Sequence, residues 1–130
     1  LLLDIDHFKT VNDEFGHLIG DRVLCFVATM IKKCIKGGDF ASRIGGDEFA
    51  VIFPNTDYQG GISVAEMIIN QVANRKLILN KKGCDLGYIT LSGGLSQVQQ
   101  EDTFESLMER ADKSLYSAKQ SGRNKVTGVD

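Results

Sequence analysis

Residues 40–53 read Phe40-Ala41-Ser42-Arg43-Ile44-Gly45-Gly46-Asp47-Glu48-Phe49-Ala50-Val51-Ile52-Phe53. Two runs of strand-forming residues, Phe40 to Ile44 and Phe49 to Phe53, flank a tight turn containing Gly45-Gly46, and the pattern predicts a β-hairpin. Upstream, Asp21 is a candidate cap for a helix running to about Lys36. Its apolar positions Val23, Leu24, Val27, Met30, Ile31 and Cys34 recur at helical spacing, and Gly37-Gly38 ends it. Before that helix, the apolar run Leu1 to Ile5 reads as a buried strand. Downstream of the hairpin, Pro54-Asn55-Thr56-Asp57 breaks the chain and starts a helix to about Asn74, with Ile62, Ala65, Ile68, Ile69 and Val72 inward. The polar stretch Asn80 to Asp85 reads as a loop and Tyr88 to Val98 as a strand containing Gly93-Gly94. Thr103 caps a last helix whose stripe is Phe104, Leu107, Met108, Ala111, Leu115 and Ala118, Gly122 stops it, and Lys125 to Val129 adds a short edge strand.

The order is β-α-β-β-α-β, then a helix and a strand. It predicts an α+β fold with a ferredoxin-like core, a mostly antiparallel sheet and helices packed on one face. The 130 residues suffice for one domain with a real core. Hydrophobic residues at 42% and charged residues at 25% match an ordinary globular domain and argue against disorder. A formal net charge of −2 makes the surface as a whole no partner for nucleic acid, so any phosphate binding must be local. No apolar run approaches the roughly 20 residues that cross a bilayer, and no signal-peptide pattern opens the chain. The abrupt start in Leu1-Leu2-Leu3, without a Met, suggests a piece of a longer protein. Cys25, Cys34 and Cys84 form no Cys-x-x-Cys motif and read as free thiols in a reducing compartment.

Three clusters carry chemistry. At the end of the first strand stand Asp4-Ile5-Asp6, then Phe8-Lys9 and Asn12-Asp13. Strand alternation puts Asp4 and Asp6 on one face, where charge is expensive unless it is paired or bound to a hard cation such as Mg²⁺. On the hairpin, Asp47-Glu48 follow Gly45-Gly46, and glycine lets a ligand approach the backbone. If strand and hairpin are neighbours, Asp4 and Asp47 can share one or two Mg²⁺ ions that neutralise transferring phosphates. Lys119 and Arg123 flank Gly122 at the end of the last helix and can clamp phosphate, one as a point charge and one as a fork. Each cluster alone also has a bland reading: solvation past a strand end, a solvated hairpin tip, and cations complementing a helix dipole.

Together the clusters resemble a known family. Arg43-x-Gly45-Gly46-Asp47-Glu48-Phe49 is similar to the signature that names the GGDEF family of diguanylate cyclases. Asp4-Ile5-Asp6-x-Phe8-Lys9-x-x-Asn12-Asp13, then Gly16-His17-x-x-Gly20-Asp21, resembles that family's first strand and following segment. Thr90-Leu91-Ser92-Gly93-Gly94-Leu95 resembles its penultimate core strand, and Ala111-Asp112 through Gly122-Arg123-Asn124 its last helix. The resemblance implies condensation of two GTP into cyclic di-GMP, by attack of a ribose 3′-hydroxyl on an α-phosphate, in a two-fold homodimer. It implies Mg²⁺, with Mn²⁺ as a substitute, held by Asp4, Asp47 and the Ile5 carbonyl, with Glu48 binding metal or activating the hydroxyl. Lys9 joins Asp4, Asp47 and Glu48 as catalytic, contacting phosphate as does the Phe8 amide. Asn12 and Asp21 would read guanine, Gly45 and Gly46 would pass beneath the nucleotide, and Lys119 and Arg123 would hold the β- and γ-phosphates. His17 would organise its loop, and His7 would be a surface or packing residue.

The resemblance also implies a cytoplasmic domain without direct membrane contact, attached to a sensor or dimerisation module, and it leaves open whether the parent protein is membrane-anchored. Two departures stand out. The family's product-inhibition motif Arg-x-x-Asp is here Lys36-Gly37-Gly38-Asp39, and an Arg that assists elsewhere is replaced near Met67, so weak or absent product inhibition is expected. The segment that usually precedes the first strand is missing. The alternatives are a catalytically silent domain that binds GTP or cyclic di-GMP, and a plain ferredoxin-like interaction module.

Overall fold

The computed structural model describes residues 1–79 and 84–130. In chain order the elements are β1 (Leu2–Ile5), α1 (Phe8–Phe15), α2 (His17–Cys34), β2 (Phe40–Gly45), β3 (Glu48–Ile52), α3 (Tyr58–Ala73), β4 (Lys76–Leu79), β5 (Cys84–Tyr88), β6 (Leu91–Ser96), α4 (Phe104–Gln120) and β7 (Val126–Val129). Five strands form one sheet in the order β2-β3-β1-β6-β7, antiparallel except for the parallel β6–β7 pair. The hairpin and the split βαβ order are those expected, with β7 at an edge.

Alternation along the central strands separates two faces. Leu3, Ile5, Phe49, Val51 and Leu91 pack with Val23, Val27, Met30 and Ile31 of α2 and Ile68, Ile69 and Val72 of α3. Burying each such side chain contributes about 1.5–3 kcal/mol. Leu2 lies on the opposite face and packs against Ala111 and Leu115 of α4. Helices thus cover both faces, which corrects the expectation of one. Gly94 of β6 sets how closely α4 seats on the second face: a Cβ there would stand 2.2 Å from the Ala111 carbonyl oxygen and 2.3 Å from the Leu115 nitrogen. Only a bare α-carbon lets α4 lie this close to the sheet.

Local caps explain the helix starts. The Asp57 side chain accepts from the Gly60 N–H at 2.8 Å. Thr103 and Ser106 exchange side-chain and backbone hydrogen bonds in a capping box, with Ser106 where Glu or Gln is usual. Asp21 is not a cap. The helix it was expected to start begins at His17 and ends at Cys34, where Ile35 is already extended. A separate α1 precedes it, broken off at Gly16 (φ 86, ψ 165), a conformation glycine adopts freely. In the first turn of α3 the buried position is Gly61, which faces Leu95, while Ile62 is half-buried. Phe104 is 73% exposed and stands outside the α4 stripe. Asp85 belongs to a β4–β5 hairpin tied by a Lys76–Asp85 ion pair at 2.7 Å, where a loop was expected. The rest of that expected loop, residues 80–83, lies outside the described residues.

Gly94→Ala should lower stability by at least about 2 kcal/mol, because its methyl meets backbone that cannot step aside. At Gly46 a Cβ meets nothing within 4 Å, so Gly46→Ala should change stability by less than about 0.5 kcal/mol. Urea unfolding of both variants measures the contrast.

Candidate functional site

The hairpin tip is docked on the end of β1. Ile5 donates its N–H to the Asp47 carbonyl at 3.2 Å, and Asp4 is the register partner of Glu48 on one side and Ser92 on the other. A register shift between Arg43 and Gly45 kinks β2 at the tip, and the Arg43 Nε braces it by donating to the Gly46 carbonyl at 3.0 Å. Gly45 and Gly46 have no left-handed φ and no close neighbour, apart from Glu48 Oε2 at 3.9 Å from a notional Gly45 Cβ. The fold does not require glycine at either position, and the bare backbone leaves room for a ligand.

Asp4 is 5% exposed. One carboxylate oxygen pairs with the Lys119 ammonium from the last turn of α4, and the other, Oδ1, is buried without a hydrogen-bond partner. Burial pushes the Asp4 carboxyl up to about 6; the adjacent Asp47 carboxyl adds to the shift and Lys119 opposes it. An orphaned carboxylate oxygen beside a second carboxylate is a place that lacks positive charge, and its hard oxygens fit a divalent cation. Among the described residues no three His, Cys, Asp or Glu side chains gather as a metal cage. Glu48 is exposed with its carboxylate lying toward Gly45, so the structure joins Asp4 with Asp47 and Lys119 and leaves Glu48 at the tip.

On the other side of the β1 terminus, α1 begins at Phe8, so the amides of its first turn have no intrahelical acceptor. Lys9 is exposed there, Phe8 is half-buried, and His7 holds a left-handed φ of 56 as the residue before the helix. His17 is exposed at the start of α2. Asn12 lies against α2, where a Cβ on Gly20 would stand 1.9 Å from its Oδ1 and 3.3 Å from the Phe8 ring. Gly20 thereby lets Asn12 approach α2 at the residue before Asp21, which is exposed and free of capping duty. A pocket of about 270 Å³ opens one helical turn from Asp21, lined by Leu24, Cys25, Arg43 and Phe49 among others. A groove of about 750 Å³, lined by apolar residues such as Phe53, Leu107 and Met108, holds none of the site residues.

Arg123 is exposed and starts from left-handed backbone (φ 60), between Gly122 (φ 110) and Asn124 (φ 49). The residue that sequence reasoning left without a role is Asp6. It is 6% exposed and accepts from Thr90 Oγ1 and Ser92 Oγ at 2.7 Å each and from the Asn124 N–H at 3.2 Å. The signal was present as a second carboxylate on the Asp4 face, opposite the hydroxyls of Thr90 and Ser92.

Comparison with known proteins identifies the family. The family model described as "Diguanylate cyclase, GGDEF domain" matches residues 1–125. The chain is 42% identical to Diguanylate cyclase A of Treponema denticola over 98% of its own length and 34% of that protein. It is also 42% identical to the response regulator PleD of Caulobacter vibrioides, over 98% of this chain and 28% of that one. The chain thus spans about a third of these relatives. Among solved structures it is similar to the GGDEF domain of DgcB from Caulobacter crescentus, in complex with cyclic di-GMP, at TM-score 0.94 and 42% identity, covering 98% of this chain and 72% of that one. With the signature hairpin docked on the β1 carboxylates and the match running through nearly all of its length, the chain belongs to the GGDEF domain family of diguanylate cyclases.

Proposed function

We propose that this domain is a diguanylate cyclase that condenses two GTP into cyclic di-GMP and two pyrophosphates. The observation that carries the reading is the junction of Asp4, Asp47 and Lys119: a buried carboxylate with an orphaned oxygen, a second carboxylate and an ammonium, beneath a glycine tip the fold does not need. Named diguanylate cyclases at about 40% identity support it.

The residues divide the work. Asp4, Asp47 and the Ile5 carbonyl would hold Mg²⁺, or Mn²⁺ in its place, which when bound offsets the negative charge of the phosphates. The Phe8 amide and Lys9 meet the phosphates at the start of α1. Lys119 and Arg123 hold the β- and γ-phosphates. Asn12 and Asp21 hydrogen-bond the guanine edge, and Gly45 and Gly46 let the nucleotide lie on the backbone. The 3′-hydroxyl oxygen of one GTP forms a bond to the α-phosphorus of the other, and the bond to the β-phosphate oxygen breaks. We assign Glu48 to the proton of the attacking hydroxyl, since it is the tip carboxylate outside the Asp4 junction.

One domain holds one GTP, so two copies meet about a two-fold axis and react reciprocally. The relatives are roughly three to five times as long as the chain, and the remainder of the parent protein supplies the sensor or dimerising module. The reaction runs in the cytoplasm, where GTP is. No described helix is long and apolar enough to cross a membrane. Lys36 replaces the Arg of the family's product site, and the Asp39 carboxylate already accepts from the Lys36 N–H at 2.8 Å, so product inhibition there is weak.

Incubation of the chain, dimerised by a fused coiled coil, with GTP and Mg²⁺ should yield cyclic di-GMP by chromatography and mass. Asp47→Ala should lower the rate at least about a hundredfold. GTP binding without any product in the folded dimer would instead support a silent regulatory domain. Asp4→Asn should abolish turnover and metal binding, yet raise the Tm of the metal-free domain by a few degrees, about 1 kcal/mol, since it removes a charge the site disfavours. Asp21→Ala should reduce the preference for GTP over ATP, in competition binding, by roughly tenfold.

A further inference from the structure

Three successive residues after α4 lie in the left-handed region: Gly122, Arg123 and Asn124. Glycine adopts this freely and Asn tolerates it, but Arg is held there against its preference. Such a run persists only if neighbours over-determine it. On one side the Arg123 N–H donates to the Ala118 carbonyl at 3.0 Å, which ties it to α4. On the other, the Asn124 N–H donates to Asp6 Oδ2, the oxygen that also takes the Thr90 hydroxyl. The Asp6 N–H donates to the Thr90 carbonyl at 2.9 Å, and Ser92 fills Oδ1, so the carboxylate is itself immobile. Asp6 is therefore a bridge between β1, β6 and the turn that launches the Arg123 side chain, two residues from the carboxylate of Asp4.

We propose that Asp6 is a positioning residue that fixes the Arg123 guanidinium for the terminal phosphates of the nucleotide, by clamping the left-handed Arg123–Asn124 turn to the sheet. The proposal rests on the nucleotide reading above. It gives Asp6 a role distinct from that of Asp4: one carboxylate is left with an open oxygen, while the other is saturated by two hydroxyls and one amide. It also explains why both acids are kept on one strand face. The pair sets the spacing between the cation position and the phosphate fork without any contact of Asp6 with ligand.

Calorimetry with two nucleotides tests it in Mg²⁺: 3′-deoxy-GTP, which lacks the attacking hydroxyl and cannot react, and GMP, which lacks the terminal phosphates. Asp6→Ala should bind 3′-deoxy-GTP roughly tenfold more weakly and GMP as the wild type does, the scale of one charge-assisted hydrogen-bonded contact. Asp6→Asn should recover most of the loss, because its amide oxygen can still accept from Asn124 while its NH₂ turns to the Ser92 hydroxyl. In an Arg123→Ala background Asp6→Ala should add no further loss. Asn124→Val supplies an independent arm should Asp6→Ala not fold. Its exposed, β-branched side chain opposes the left-handed φ and should reproduce the selective loss, whereas Asn124→Gly should not. Equal weakening of both nucleotides, full additivity with Arg123→Ala, or a wild-type ratio in folded Asn124→Val would overturn the proposal. A wild-type chain that binds 3′-deoxy-GTP no better than GMP would overturn the phosphate clamp itself, and the positioning role with it.

Discussion

The contact on which most of this molecule depends is the seating of α4 on the sheet at Gly94. A side chain there would drive into the backbone of Ala111 and Leu115, and a displacement of even one methyl's thickness would propagate along a rigid helix. At the far end of that helix Lys119 reaches Asp4, and just beyond it the Arg123–Asn124 turn reaches Asp6. The apolar contacts of Leu2, Ala111 and Leu115 and the polar contacts of the site are therefore one packing decision. Close packing transmits position because protein interiors have little free volume in which to absorb a shift.

The site lies where strand order and helix seating converge. β1 is the middle strand of five, so its end is flanked by the hairpin tip on one side and by β6 on the other. This explains how two acids on one strand have opposite fates. Asp4 faces another carboxylate and is left with an unsatisfied oxygen, which destabilises its charged form. Asp6, one step along the same face, meets only donors. A buried carboxylate that is fully hydrogen-bonded is a structural fixture; one that is half-satisfied holds a charge deficit that a ligand can fill.

Much of this was legible in the residues. The Gly45-Gly46 turn between two apolar runs marked the hairpin, and Thr103 and the Asp57 region marked helix starts through their capping chemistry. What escaped reading was short or depended on distant partners. Helix α1 has eight residues, too few for a helical stripe to stand out, and is separated from α2 only by the backbone angle at Gly16. Asp21 resembled a cap because a carboxylate ahead of an apolar stripe usually is one, but the preceding turn of α2 had already formed. The β4–β5 hairpin carries Gly87 and charged residues with weak strand preference, and its ion pair and pairing supply what propensity does not.

The sequence by itself determined the order of the core strands and the three long helices, the two acidic clusters, the glycine tip and the terminal cations, because these follow from local propensity and from residue chemistry at fixed spacing. It could not tell which face α4 would cover, that Asp4 would keep an open oxygen, or that Asp6 would lock the turn beneath Arg123. Those outcomes join residues more than a hundred positions apart, and only the closing of the sheet brings them within hydrogen-bond reach. Burial then sets their energies, since the same carboxylate that water would screen at a strand end is forced, once enclosed, to find a donor or a cation.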